Sequence, residues 1–324
     1  MRKLFLWGAF LSASLMFAAN IHAQDAQAYP GKPVRFIVPV PPGGGVDALA
    51  RMVAEGLRNK WGQSVLVENR GGAGGNIGAE AVYKAEPDGH TLLFTAGGVL
   101  VTNKMLYATL NYEPELFVPI SVVAANYSVL IVHPKVAADS VQKLIAFAKA
   151  NPDRLDYASP GSGTGSHLTA ELFKAMAGIK IAHIPYKGTG PALADIVGGQ
   201  VASMFGELGS VLPHIRAGRL RALAVTSDKR NPALPEVPAM NEVLPGFLAT
   251  PWNGTVAPPK TPVAIANKIS AAIAEVLRQP DTIKRLTERN FQPIGGSPEE
   301  MALFMRQEVE RWGKVVRVIG AKAD

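Results

Sequence analysis

One stretch of the sequence could hold an anion with its backbone alone. Residues 34–40 are rich in β-branched side chains, three glycines follow, and apolar residues then recur at helical spacing, which predicts a strand, a tight corner and a helix. At such a corner backbone N–H groups point outward, and the helix dipole adds about half an elementary charge of attraction. We therefore predict a site for a carboxylate or a phosphate. This first corner consists of Gly43, Gly44, Gly45, Val46 and Asp47.

Two later stretches repeat the order of strand, glycines and helix. The glycine stretch, residues 69–78, follows the second predicted strand and forms a further corner suited to an anion. The second corner, residues 159–167, adds hydroxyl groups, which suit hydrogen bonding to a carboxylate. Glycines that only permit a tight turn would explain one such corner more easily than three. The candidates in the second corner are Ser159, Ser162, Gly163, Thr164, Ser166 and His167.

Strand and helix patterns alternate along the chain, which predicts an α/β fold of parallel, doubly wound sheets with ligands beyond the carboxyl ends of the strands. The apolar run 127–133 begins a second α/β unit, and the proline-rich segment 232–262 suits a return crossing. We expect one domain of residues 29–124 with 251–324 and another of residues 125–250. The two corners would then face each other across a cleft, with the two crossings as its hinge.

Residues 1–28 predict an export signal and a short lead. Arg2 and Lys3 precede an apolar run and then small residues, so cleavage would follow Ala23 or Ala28. A membrane anchor is the alternative, but the run is short for a span of about 20 residues. The chain has no cysteine, which excludes disulfides, thiol catalysis and cysteine-ligated zinc. We expect a soluble protein of the bacterial periplasm.

The positive charge of the chain is modest and scattered. The formal net charge is +7, and loss of Arg2 and Lys3 with the signal leaves about +5, without the clustered basic tract of nucleic-acid binders. The histidines at positions 90, 133, 183 and 214 do not share metal-ligand spacing, which favours structural roles. We therefore expect no nucleic acid, no metal and no cofactor.

Two enzyme hypotheses compete with a binding role. Residues 43–48 fit the G-x-G-x-x-G/A pattern of dinucleotide-binding oxidoreductases, and Glu68 ends the next strand where a ribose-binding acid could lie. The prolines at positions 41 and 42 distort that approach, and an exported protein rarely meets soluble NAD. A serine hydrolase is disfavoured because Ser166 and His167 are adjacent on a helix and no G-x-S-x-G occurs.

Several other residues could form walls of the cleft. Tyr186, Lys187 and Gly188 end a strand of the second unit, although an exposed lysine and a packed tyrosine are an equally good interpretation. Trp252 lies in the return crossing, where a single tryptophan is more often part of the core.

The sequence strongly resembles the Bug-type substrate-binding proteins of tripartite tricarboxylate transporters over the whole mature chain. The matching blocks are PPGGGVD (residues 41–47), ENR with GAGG (68–70, 72–75), PDGHTLL (87–93), SPGSGT with HL (159–164, 167–168), PYKG (185–188) and LRALAVT (220–226). The resemblance implies a two-domain periplasmic binding protein of type II-like fold, with doubly wound sheets joined by a two-strand hinge. It also implies that the protein is no enzyme and that it delivers a small carboxylate to a membrane permease.

The resemblance places the ligand between the first and second corners, with Gly74, Thr95, Tyr186, Lys187 and Gly188 as further wall residues. The family often carries aspartates within residues 201–208, where this chain has Ala202 and Gly206 and only Glu207 could substitute. An acid there could pair with a ligand amine, so we expect a di- or tricarboxylate or an aromatic acid rather than an amino acid. A ligand sensor for a signalling system stays open as an alternative, and we expect a monomer.

Overall fold

The computed structural model describes residues 29–320 and residue 322, except residues 153, 228 and 248. The predicted signal and lead, residues 1–28, lie outside the described residues. In the described part of the chain, no helix is both long and apolar enough to cross a membrane.

The described residues form two sheets. The strands are β1 (Val34–Val38), β2 (Val65–Asn69), β3 (Thr91–Ala96), β4 (Val118–Asn126), β5 (Ser128–Val132), β6 (Asp156–Ser159), β7 (Ala182–Pro185), β8 (Ser203–Glu207), β9 (Arg221–Val225), β10 (Trp252–Ala257) and β11 (Phe291–Pro293). The first sheet has the order β11-β4-β10-β3-β1-β2, and the second has the order β7-β6-β8-β5-β9. The predicted α/β class with two sheets is therefore confirmed.

Helices follow most of the strands, as the alternating pattern predicts. They are α1 (Gly45–Trp61), α2 (Asn76–Tyr83), α3 (Gly97–Val101), α4 (Asn103–Leu106), α5 (Val141–Ala150), α6 (Gly165–Ala177), α7 (Thr189–Val197), α8 (Leu208–Arg216), α9 (Met240–Val243), α10 (Val263–Leu277), α11 (Pro280–Glu288) and α12 (Pro298–Ile319). Helices α1, α7 and α8 begin just beyond the carboxyl ends of β1, β7 and β8, respectively.

The prediction of parallel sheets holds for only part of each sheet. β1 pairs in parallel with β2 and β3, and β6 pairs in parallel with β7 and β8. By contrast, β10 runs antiparallel to β3 and β4, β11 runs antiparallel to β4, and β5 runs antiparallel to β8 and β9. β5 and β10 are the strands by which the chain enters one sheet from the other. They start at the edge where their neighbours end, so they must run in the opposite direction.

Helices α1 and α10 cover one face of the first sheet. Their apolar stripes, including Leu49, Leu57, Ile269 and Ile273, are fully buried in one cluster with the strand side chains. Burying each such side chain contributes about 1.5–3 kcal/mol. Gly56 lets the two helices approach closely, because a Cβ atom there would lie 2.4 Å from Val276.

Helix α12 joins the two halves of the structure. It contacts β4 of the first sheet and α6 beside the second, and its Met301, Met305 and Trp312 are buried. Glu308 on this helix is also buried and accepts hydrogen bonds from Trp252 Nε1 and Trp312 Nε1, at 3.2 and 3.3 Å. Trp252 thus belongs to the core, which was the commoner interpretation of a single tryptophan. The same residue also lines a small cavity beside α3 and α6.

Candidate functional site

A cavity of about 330 Å³ lies where the carboxyl ends of strands from both sheets meet. Three helices begin at its wall: α1 with the glycines of the first corner, α7 with Thr189 and Gly190, and α8 with residues 208–210. Arg289 also lines it. The first amides of a helix have no acceptor within the helix and carry the positive end of its dipole. The cavity therefore favours an anionic ligand.

The first corner has the predicted backbone. Gly43 adopts a φ of +91°, which other residues rarely tolerate, and Gly44 precedes the helix in an extended conformation without a side-chain cap. The three glycines line the cavity, but Val46 and Asp47 do not. Val46 instead packs in the core of the first sheet.

Asp47 braces this corner from within. Its carboxylate accepts hydrogen bonds from Gly43 N at 2.9 Å, Asn69 Nδ2 at 2.9 Å and Arg51 Nε at 3.1 Å, and the residue is only 4% exposed. Burial acts to raise the pKa of Asp47, but the bonds from Arg51, Gly43 and Asn69 prevail and hold that pKa below its ordinary value. The side chain shapes the corner instead of facing the cavity.

Glu207 enters the cavity from the second sheet. It ends β8, and its carboxylate lies against Gly45 at the start of α1. Asn126 Nδ2 donates to Oε1 at 3.4 Å, whereas Oε2 is buried without a well-aligned hydrogen-bond partner in the described part of the chain. Burial raises the pKa of Glu207, and the Gly45 amide opposes this with a smaller effect.

The second corner closes in the same way with a different side chain. Gly163 has a φ of +78° and donates its N–H to His167 Nδ1 at 3.0 Å, and Thr164 caps the following helix. The imidazole of His167 stacks on that of His183, with ring centroids 4.2 Å apart. Burial lowers the pKa of both histidines, that of His183 to about 4, so both rings are neutral near pH 7.

The hydroxyl groups of the second corner are used within the protein. Thr164 Oγ1 donates to the carbonyl of Gly161 at 2.7 Å, and Ser166 Oγ donates to the carbonyl of Phe205 at 2.7 Å. Ser159 Oγ lies 2.6 Å from His183 Nε2 and 3.0 Å from the carbonyl of Gly161. These three hydroxyls therefore bond within the protein in this structure, and their contact with a ligand stays a prediction. The backbone amides at the start of α6 are further candidates for that contact.

The first and second corners each contact a different segment of the opposite half of the structure, and their direct opposition across a cleft stays a prediction. Cβ atoms placed on Gly74 and Gly98 would lie 3.2 and 3.5 Å from the carbonyls of Ser162 and Gly163, so the second corner meets the glycine stretch and α3. The first corner meets α7 instead, where Gly188 lies against Pro41. Which segments meet across the cleft depends on tertiary packing, which periodicity in a sequence does not encode.

The remaining predicted wall residues have mixed positions. Tyr186 donates to Asp195 Oδ2 at 2.6 Å, and burial together with that carboxylate raises its pKa to about 12. Thr95 is fully buried in β3 and donates to the carbonyl of Ala96. Lys187 is exposed. Gly74 has a φ of +61° and leaves room for the hydroxyl of Tyr107, which in turn donates to Ser162 O at 3.2 Å.

Some residues that line the cavity were missed from the sequence. They are Asn126, Tyr127, Thr189, Gly190, Arg289 and Asn290. The pair at 189–190 follows a strand and a glycine and opens a helix, which is the pattern that identified the other corners. The asparagine at position 126 and the residues at 289–290 reach the cavity only through tertiary folding and have no comparable local signal.

The sequence matches a known family over most of its length. The profile described as "Tripartite tricarboxylate transporter family receptor" matches residues 49–321. Protein BugT of Bordetella pertussis is 40% identical over 301 residues, which cover 92% of this chain and 92% of BugT.

Solved structures agree with this match. Rpa4515 of R. palustris, solved with adipate, is 36% identical and superposes with a TM-score of 0.87 over 91% of this chain and 100% of that one. MatC of Rhodopseudomonas palustris, solved with bound malate, is 31% identical with a TM-score of 0.84 over 89% of this chain and 100% of that one. These are receptors, not enzymes, so the dinucleotide and hydrolase hypotheses are set aside. Their likeness confirms the two-domain periplasmic binding fold, and this chain belongs to the receptor family of the tripartite tricarboxylate transporters.

Proposed function

We propose that this chain captures a small organic acid in the cavity between its two sheets and delivers it to a membrane permease. The convergence of three helix N-termini and Arg289 on one cavity carries the proposal. A buried carboxylate needs oriented donors to offset the loss of water, and we expect them from those first amides of the three helices that make no bond within the protein. The Leu208 amide is not among them, because it donates to the Tyr127 carbonyl. A cavity of about 330 Å³ is also within the size range of small-molecule sites.

The ligand class follows from chemistry and from relatives. The solved relatives with adipate and with malate hold dicarboxylates. We propose a di- or tricarboxylate or an aromatic acid for this chain, held chiefly by backbone amides, because the hydroxyls and Asp47 are engaged elsewhere. The amides of Gly44 and of residues 189–190 are the candidates nearest the cavity, because Asp47 engages the Gly43 amide and Glu207 lies on the Gly45 amide.

The domain boundaries and the hinge are part of the same proposal. Residues 29–124 with 251–324 would form one domain and residues 125–250 the other. The crossings between them meet where Asn253 Nδ2 donates to Asn126 Oδ1 at 3.0 Å, at the end of β4 and the start of β10. Opening and closing about this pair of strands would admit the ligand. We further propose export through residues 1–28 and action as a monomer.

Calorimetry on the mature protein, unfolded and refolded to remove bound ligand, tests the proposal. The panel contains adipate, malate, citrate, benzoate and aspartate, and we expect at least one carboxylate to bind with a Kd in the micromolar range or below. Gly44→Val should then weaken binding by about 100-fold, because its methyl groups would enter the gap to Thr189 Oγ1, now 4.0 Å from the Cβ position. Ala264→Val, at an exposed site on α10, is the matched control. Absence of binding to the whole panel, or full affinity in Gly44→Val, would refute the proposal.

A further inference from the structure

Glu207 occupies the place on the first corner where a ligand carboxylate would bind. A Cβ atom on Gly45 would lie 2.1 Å from Glu207 Oε2 and 2.9 Å from its Cδ, so the carboxylate rests directly on the start of α1. The Gly45 amide favours the ionised carboxylate and so opposes the rise in the pKa of Glu207, although the two do not form a well-aligned hydrogen bond. A carboxylate on the N-terminus of a helix is the arrangement that these amides favour for any anion.

The surroundings of Glu207 hold it in this place. Asn126 donates to Oε1 and accepts a hydrogen bond from Asn253, so the carboxylate is linked to both strands that cross between the sheets. The neighbouring position 206 has no room for a side chain, because a Cβ atom there would lie 2.6 Å from Val211 Cγ1. In this chain the acidic group of the block 201–208 therefore stands at position 207.

The buried carboxylate of Glu207 lacks the cation or full set of hydrogen-bond donors that would offset its loss of water. Within the described residues, burial and the Gly45 amide set its pKa, and no cation contributes. Oε2 lacks a well-aligned donor. A second carboxylate placed beside this group would be repelled, whereas an ammonium or hydroxyl group would give Oε2 the donor that it lacks.

We propose that Glu207 determines the ligand specificity of the cavity: it excludes a ligand carboxylate from the first corner and selects acids whose end at that corner carries a hydrogen-bond donor. This inference rests on the proposed function. The ligand carboxylate then binds elsewhere in the cavity, where α7 begins and Arg289 lines the wall. It narrows the ligand class of the proposed function to acids with a hydrogen-bond donor at one end, in place of a simple diacid. It also reverses the expectation, drawn from Ala202 and Gly206, that the ligand lacks an amine.

Ligands of equal length that differ at one end provide the test. Adipate, 6-hydroxyhexanoate and 6-aminohexanoate form one set, and succinate, 4-hydroxybutyrate and 4-aminobutyrate form a shorter one. We expect the wild type to bind the hydroxy and amino acids more tightly than the diacid. Glu207→Gln should lower the Kd of the diacid relative to that of the amino acid by at least about tenfold, because it removes the charge and keeps the shape. Glu86→Gln, an exposed site outside the cavity wall, should leave the ratio unchanged.

A measurement without ligand separates this inference from the proposed function. Amide hydrogen exchange at Gly45 should become at least about tenfold faster in ligand-free Glu207→Ala, since the acceptor is removed. An unchanged ratio in Glu207→Gln, or unchanged exchange in Glu207→Ala, would overturn the role of Glu207. Either result could occur while the wide carboxylate panel still shows binding, so the two proposals can fail independently.

Discussion

The first and second corners share one backbone design and differ in the side chains that complete it. In each, a glycine with positive φ donates its N–H to a side chain four residues later: Gly43 to Asp47, and Gly163 to His167. In each, the helix begins two residues after that glycine. The acceptor is an ionised carboxylate in the first corner and a neutral imidazole in the second.

This difference sets the electrostatics of the two corners. The negative charge of the Asp47 carboxylate is buried, and it is paired with the guanidinium of Arg51, which is exposed to solvent. The second corner needs no ion pair, because its imidazole is neutral and stacked on His183. The space over each helix start also differs: Glu207 fills it at Gly45, whereas the nearest atoms at Gly165 belong to Pro251 at 3.9 and 4.0 Å. The same backbone arrangement therefore has its helix start covered by the Glu207 carboxylate in the first corner and left open in the second.

The largest expected effect comes from removing the Asp47 carboxylate and its hydrogen bonds in the first corner. Asp47→Ala leaves the Gly43 amide and Asn69 Nδ2 without their acceptor in a buried place, so we expect a loss of about 2–4 kcal/mol in the free energy of unfolding. Asp47→Asn keeps an acceptor for Gly43 and should lose less. Urea unfolding followed by circular dichroism gives both values. Equal stability of Asp47→Ala and the wild type would show that the hydrogen bonds do not brace the corner.

Replacing the first glycine of each helix by alanine should change the stability of the protein in opposite directions. Gly45→Ala forces the carboxylate of Glu207 away from the helix start and should destabilise the protein by about 1–2 kcal/mol. Gly165→Ala meets nothing closer than 3.9 Å and should stabilise it by about 0.5 kcal/mol, since alanine reduces the entropy of the unfolded chain. Thermal unfolding of the two variants side by side checks this. A stabilising Gly45→Ala would mean that Glu207 leaves the corner without loss.

Local pattern in the sequence was enough to locate the corners, because strand, glycine and helix signals are short-range. The buried stripe with Ile269 and Ile273 and the glycines at positions 43–45 follow from periodicity and backbone freedom. What could not be predicted depends on distant partners. Asn126 and Arg289 reach the cavity through the packing of one sheet on the other. The hydroxyls of Thr164 and Ser166 look available in the sequence but are engaged by carbonyls that only the fold brings near.

The smallest expected effect is an opposite response of the two corners to pH. Burial raises the pKa of Glu207 in the folded protein above its ordinary value of 4.5, so the folded state holds this proton more tightly than the unfolded chain. The stability that the protonated Glu207 contributes is complete below about pH 4.5 and is lost as the pH rises through the folded pKa. The stability of Glu207→Gln relative to that of the wild type should therefore increase as the pH rises.

His183 behaves in the reverse way, because its folded pKa of about 4 lies below the ordinary value of 6.5. Its neutral form fits the second corner, so the associated stability is complete above pH 6.5 and is lost as the pH falls from 6.5 towards 4. The stability of His183→Gln relative to that of the wild type should therefore increase as the pH falls, whereas that of Glu207→Gln should increase as the pH rises. Urea unfolding of both variants and the wild type between pH 4 and 8 measures the two slopes. If relative stability changed with pH in the same direction in both variants, Glu207 and His183 would not differ in the protonation state that folding favours. The proposed electrostatic difference between the two corners would then be wrong.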